Sequence, residues 1–154
     1  MSTEPLTIRA MTEADTPSVH RIHTECLTRS LADHYSPAQL AAWMHGRSPQ
    51  GYWHFANAGE TFRVAELSGE VIAFANWRDR ELRSLFVLPE HQRSGIGARL
   101  FAACAAEAPL DFVKATASAV GFYERFGFVA IGPGFDLKRD VRLPHIAMRR
   151  VLQP

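Results

Sequence analysis

The sequence predicts a mixed α/β fold, a single sheet with helices laid on its faces. Short apolar runs of strand character, such as Phe62 to Leu67, Glu70 to Trp77 and Glu81 to Leu88, are bounded by glycine, proline or charged turns. Between and around them, apolar residues recur at helical spacing, as Ile96, Leu100, Phe101 and Cys104 do. The chain has 154 residues, of which 47% are hydrophobic and 21% charged. That is enough to bury one core, so residues 5–154 are expected to form one domain.

The elements follow in order. Leu6 to Met11 reads as a strand. Thr12, with Asp15 three residues on, opens a helix that runs to about Ser30. Ser36-Pro37-Ala38-Gln39 is a stronger start signal. Serine caps, proline takes the first helical position, and glutamine completes a capping box. That helix should stop near Gly46, and a short one should span Pro49 to Ala56. Ser68-Gly69 joins the first two central strands in a tight hairpin. Pro89 ends the third, and a helix runs from Gly95 to Ala108 until Pro109 closes it. Leu110 to Ala115 is a strand, Ala119 to Phe126 a helix, and Phe128 to Ile131 and Ile146 to Leu152 are late strands.

Composition excludes several classes. The formal net charge is +1 and no long block of like charge occurs, so nothing calls for nucleic acid. No apolar run is long enough to span a bilayer, and the first residues, Met1-Ser2-Thr3-Glu4-Pro5, lack the regions of a signal peptide. The two cysteines, Cys26 and Cys104, fall on apolar helix faces and read as small buried hydrophobes rather than nucleophiles. Reduced thiols and no export signal point to the cytoplasm.

The informative stretch runs from Leu85 to Leu100, LFVLPEHQRSGIGARL. It reads strand, tight loop, helix, with Gly95 and Gly97 where the helix begins. The first N–H groups of a helix lack internal partners, and its dipole favours negative charge there, so this turn is a phosphate cradle. Gln92 and Arg93 can add side-chain donors. A Walker loop would need a Gly-Lys pair that is absent, and a dinucleotide fingerprint would need a third glycine where Leu100 stands.

Gln92-Arg93-Ser94-Gly95-Ile96-Gly97-Ala98 matches the Q/R-x-x-G-x-G/A signature of the GCN5-related N-acetyltransferase (GNAT) superfamily. Ala119 to Phe128, AVGFYERFGF, resembles a second motif of that family, A-x-x-F-Y-x-x-x-G-F. His34 to Trp43 is similar to an H-Y-S-x-x-Q-x-x-A-W stretch of uncharacterised bacterial members. The resemblance spans Leu6 to Leu152. It implies a mostly antiparallel sheet of six to seven strands, splayed at the centre, with helices on both faces.

The resemblance further implies that acetyl-CoA is the co-substrate, with no metal. The acyl-CoA would lie between Glu81–Leu88 and Leu110–Ala115, against Leu85, Phe86, Val87 and Phe122. The Val87 N–H would polarise the thioester carbonyl. The amides of Ser94, Gly95, Ile96, Gly97, Ala98 and Arg99 would take the pyrophosphate, beside Gln92 and Arg93. Tyr123 sits where the family keeps its general acid, although an aromatic beside Phe122 can also simply pack. Glu81 falls where one branch keeps a catalytic glutamate, and alternation puts Glu81, Arg83, Leu85 and Val87 on one strand face. Asp111 and a water chain are the rivals for the base.

The remaining polar and aromatic residues carry weaker expectations. His20 and His23 are three apart on a helix, but no carboxylate or cysteine completes a metal site, so solvated histidines are expected. Trp43, Trp53, Phe55 and Trp77 can line an acceptor pocket or the core. Arg83 can hold an acceptor carboxylate, and Tyr35 can touch the acceptor. The function expected is acyl transfer from acetyl-CoA to an amine of a small molecule or protein. A non-catalytic acyl-CoA-binding module is the alternative on the same fold, and an unrelated nucleotide-binding enzyme is disfavoured by the two absent motifs. Ile146 to Leu152 is the segment expected to serve a homodimer.

Overall fold

A computed structural model describes residues 5–152. Strand β1 is Leu6–Ala10, and helix α1 is Thr16–Glu25. The Thr12 N–H donates to the Asp15 carboxylate at 2.7 Å, as the start signal predicts, but a 3₁₀ turn over Glu13–Asp15 precedes the α-helix. The helix does not run regularly to Ser30. It widens into a π-turn over Cys26–Ser30, with the Leu31 N–H reaching the Cys26 carbonyl at 3.0 Å.

Helix α2, Pro37–Met44, carries the predicted capping box: the Gln39 N–H donates to Ser36 Oγ at 3.1 Å, and the Ser36 N–H to Gln39 Oε1 at 2.9 Å. Helix α3 is Pro49–Asn57. Strands β2 (Thr61–Leu67), β3 (Glu70–Arg78) and β4 (Glu81–Val87) follow, then α4 (Ile96–Glu107), β5 (Phe112–Ala115), α5 (Val120–Glu124), β6 (Val129–Lys138) and β7 (Val141–Arg149).

The seven strands form one sheet in the order β1-β2-β3-β4-β5-β7-β6, with every pairing antiparallel except β4 with β5. In β3 every residue from Val71 to Trp77 is buried. Successive side chains point to opposite faces, so this strand is covered on both. Phe74 meets Tyr52 and His23 on the side of α1 and α3. The large side chains held below 2% exposure, among them Phe74, Phe101, Phe128 and Leu100, each contribute about 1.5–3 kcal/mol by burial.

The late strands depart most from expectation. β6 and β7 are a long hairpin closed at Arg139 and Asp140, both in the left-handed region at φ 51° and 64°. Gly132, Pro133, Gly134 and Pro144 read as breakers, yet β6 is an edge strand, where a missing N–H faces outward. Pro144 is tolerated because β5 pairs with β7 only as far as Ile146. The strand part of the segment expected to serve a dimer, Ile146 to Arg149, lies between β5 and β6. It offers no strand edge; the sheet ends at β1 and β6.

Candidate functional site

The sheet opens at its one parallel pair. Strand β4 contacts β5 only through Glu81 opposite Phe112 and Leu82 opposite Val113, and the strands then diverge. The Leu88 N–H donates to the Ile72 carbonyl at 2.9 Å, which makes that couple a bonded pair of the antiparallel ladder. Bonded and non-bonded pairs alternate, so Val87, opposite Ala73, and Leu85, opposite Ala75, turn their N–H and C=O groups away from β3. Those groups face the gap that β5 has left. An extended chain laid there would find strand-like donors and acceptors.

A bulge corrects the alternation expected along β4. Asn76 pairs with Ser84 but Trp77 with Leu82, leaving Arg83 as the extra residue. The bulge separates Arg83 from Leu85. Arg83 Nη1 lies 3.6 Å from Glu60 on the α3 side, whereas Leu85 packs beside Gly97 of α4. Phe86 stacks on His23 at 4.8 Å between ring centroids.

Beyond Val87 the chain makes a 3₁₀ turn, Pro89–His91, and enters α4 through Gly95, its N-cap, at φ 83°. Glycine adopts this left-handed conformation without strain and brings no side chain to fill the cap. Nothing lies within 4 Å of the position a Gly95 Cβ would take. The first N–H groups of α4 have no partner within the helix, and Gly95 puts no side chain over them. Arg93 is also left-handed, at φ 62°. Gln92 folds inward: its Nε2 donates to the Val87 carbonyl and to Ser30 Oγ, each at 3.0 Å. That ties the π-turn, the end of β4 and the loop together. Cys26 Sγ donates to the same Val87 carbonyl at 3.1 Å; burial pushes its thiol up to about 12, so it stays neutral. Cys104 is likewise buried and shifted, so neither cysteine is a nucleophile.

Tyr123 is placed by the short helix α5 on the other lip of the gap. Gly127, at φ 88°, ends that helix in a Schellman turn: the Phe128 N–H reaches the Tyr123 carbonyl at 3.2 Å, and the Gly127 N–H that of Glu124 at 3.0 Å. The Tyr123 ring packs edge-on against Phe101, Phe122 and Phe128. Its hydroxyl makes no hydrogen bond with any described residue, and the side chain lines the cleft. Burial raises the phenol well above its ordinary value.

The cleft holds about 780 Å³, within the range of small-molecule sites. Its walls come from α2, α3, β4, β5 and the β6–β7 hairpin. Tyr35 and Gln39 explain the H-Y-S-x-x-Q stretch, because Tyr35 Oη donates to the Pro144 carbonyl at 3.2 Å and Gln39 Nε2 to that of Arg142 at 3.0 Å. Together they hold α2 against β7. Trp43, Phe55 and Arg83 line the cleft, as does Tyr35. Trp53 packs against the core, and Trp77 is buried with the Arg63 guanidinium 5.5 Å from its ring.

The carboxylates separate by environment. Glu81 is at the rim, about a quarter exposed and 3.9 Å from Arg83 Nε. Asp111 lies outside the cleft and takes two hydrogen bonds from Arg80, at 2.8 and 2.9 Å, which hold it below the usual carboxylate range. His23 is not solvated: it is buried, its Nδ1 is 2.9 Å from Tyr52 Oη, and desolvation keeps it neutral. Sequence reasoning missed Glu60. This residue, 8% exposed, lines the cleft and accepts a hydrogen bond from Asn76 Nδ2 at 2.8 Å. Its only sequence signal is a charge flanking a strand that begins at Thr61, which is ordinarily solvated.

Comparison with known proteins agrees with this architecture. The acetyltransferase (GNAT) domain family matches residues 31–152. The uncharacterised N-acetyltransferase YafP of Escherichia coli (strain K12) is 27% identical over 124 residues, 80% of this chain and 81% of that protein. A GCN5-related N-acetyltransferase from Rhodopseudomonas palustris superposes with a TM-score of 0.86 at 24% identity, covering 99% of this chain and 98% of the other. PaiA N-acetyltransferase from Thermoplasma acidophilum, solved with coenzyme A, has a TM-score of 0.74 at 16% identity, covering 96% and 99%. Sheet order, central splay and the matched family agree, and the chain belongs to the GNAT acetyltransferase family.

Proposed function

We propose that residues 5–154 act as one domain that transfers an acetyl group from acetyl-CoA to an amine of a small molecule or protein. The observation that carries the reading is a continuous path. The inward-turned N–H groups of Leu85 and Val87 lead along the gap to the open N-terminus of α4, and Tyr123 stands on the opposite lip. In this reading the Val87 N–H receives the thioester carbonyl oxygen, where negative charge develops. The amides from Ser94 to Arg99 receive the pyrophosphate. Gln92 fixes the loop, Arg93 adds positive charge, and Phe86 and Phe122 flank the gap. Tyr123 gives a proton to the departing sulfur, and Glu81 is the rim carboxylate available to the amine. Two buried, neutral thiols suit a reducing cytoplasm.

A bound acyl-CoA supplies the activated carbonyl; the chain supplies position, exclusion of water and protons. Isothermal calorimetry with acetyl-CoA in the presence of a chelator is expected to show one site per chain. No binding, or binding restored only by zinc, would contradict the reading.

A further inference from the structure

Glu60 is the cleft's most enclosed carboxylate, and its two oxygens differ. Both protein partners engage Oε1: Asn76 Nδ2 at 2.8 Å and Arg83 Nη1 at 3.6 Å. Oε2 accepts no hydrogen bond from any described residue, although the residue lines the cleft. Asn76 is itself buried at 5% exposure, so this is a built site rather than a surface charge. Arg83 is a loose partner whose side chain is 44% exposed. With one firm donor on Oε1 and Oε2 open toward the cleft, this carboxylate has room for a second partner. A cationic group arriving through the cleft would be that partner.

We infer that Glu60 Oε2 is the receptor for the acceptor's ammonium group and takes its first proton, so that acceptors are aliphatic amines, protonated in solution, rather than arylamines. An alkylammonium resembles the lysine side chain, with a pKa of about 10, and reaches the enzyme charged. It binds Glu60 in that form and cannot attack until a proton leaves. Glu60, rather than the rim carboxylate Glu81, accepts it, and the freed lone pair forms the C–N bond to the acetyl carbonyl as the C–S bond breaks. The nitrogen loses a second proton, which replaces the one Tyr123 gives to the sulfur. The net products are amide, thiol and one proton released from Glu60 to solvent. Asn76 is a positioning residue that fixes Oε1 and leaves Oε2 toward the cleft.

The inference rests on the acetyl-transfer reading, and its test separates the two. Calorimetry on the CoA-loaded protein compares n-hexylamine with 1-hexanol. The wild-type protein is expected to prefer the amine by tenfold or more. Glu60→Gln keeps the oxygen that Asn76 binds and is expected to lose the preference while retaining CoA affinity. Glu60→Asp is expected to restore part of it. Turnover with n-hexylamine is expected to fall roughly ten- to a hundredfold in Glu60→Gln, the scale of one positioned base. Equal or absent binding of the two probes by the wild-type protein overturns the assignment without any variant. So does an undiminished preference in Glu60→Gln or, should that variant not fold, in Glu60→Asp. Failure of acetyl-CoA itself to bind strikes the parent reading instead.

Discussion

Tyr123→Phe is expected to lower the turnover number roughly a hundred- to a thousandfold, the scale of one positioned general acid. The ring is enclosed by Phe101, Phe122 and Phe128, and phenylalanine fills the same space. The hydroxyl has no hydrogen-bond partner among the described residues, so its removal orphans nothing, and the melting temperature should stay within a few degrees. Acetyl-CoA affinity should also persist, because the proton is needed only as the C–S bond breaks. The sign of the pH effect follows from burial, which raises the phenol above its ordinary value. The acid therefore stays protonated through the working range, and the wild-type rate should show no alkaline fall from this group below about pH 10. The departing thiolate shares the desolvated gap and is a stronger base for the same reason. Steady-state kinetics across pH beside thermal melts check both points. An unchanged turnover number would return Tyr123 to packing alone.

Gly97→Val is expected to weaken acetyl-CoA binding by about a hundredfold, or about 2.7 kcal/mol. A Cβ at this position already lies 3.4 Å from Phe122 Cε2 and 3.7 Å from Leu85 Cδ2. Valine adds two methyl groups in the first turn of α4, between those side chains and the approach of a phosphate. Gly97 is the informative glycine of the pair. At Gly95, with φ 83°, any side chain is strained by the backbone itself, and lost affinity there would mix strain with blockage. The measurement compares acetyl-CoA with S-acetylpantetheine, which lacks the pyrophosphate. Acetyl-CoA is expected to lose more. Equal losses would remove the phosphate from the N-terminus of α4.

Legibility followed the range of the interactions. The α2 start at Ser36, the hairpin at Ser68 and Gly69, and the loop-to-helix turn at Gly95 are set by local chemistry, and each was readable. The β6–β7 hairpin was not, because its prolines and glycines are acceptable only on an edge strand or past the end of a pairing, which depends on strand order. The Arg83 bulge is equally non-local: it exists only in register with Asn76 and Trp77, and it takes Leu85 away from the face Arg83 occupies. Glu60 was hidden for the same reason. Its meaning comes from Asn76, sixteen residues away on β3, and from Arg83 on β4, neither of which its own neighbourhood announces.

Movement of an acetyl group from a CoA thioester to an amine nitrogen can be followed at both ends of the reaction. The most direct measurement incubates the protein with acetyl-CoA and a panel of aliphatic and aromatic amines, following free CoA thiol and, by mass spectrometry, the N-acetylated product in the same tubes. Thiol and amide are expected in equal amounts, dependent on an aliphatic amine and abolished by boiling the protein. Tight acetyl-CoA binding with no amide formed from any amine, or thiol released without amide, would contradict acetyl transfer.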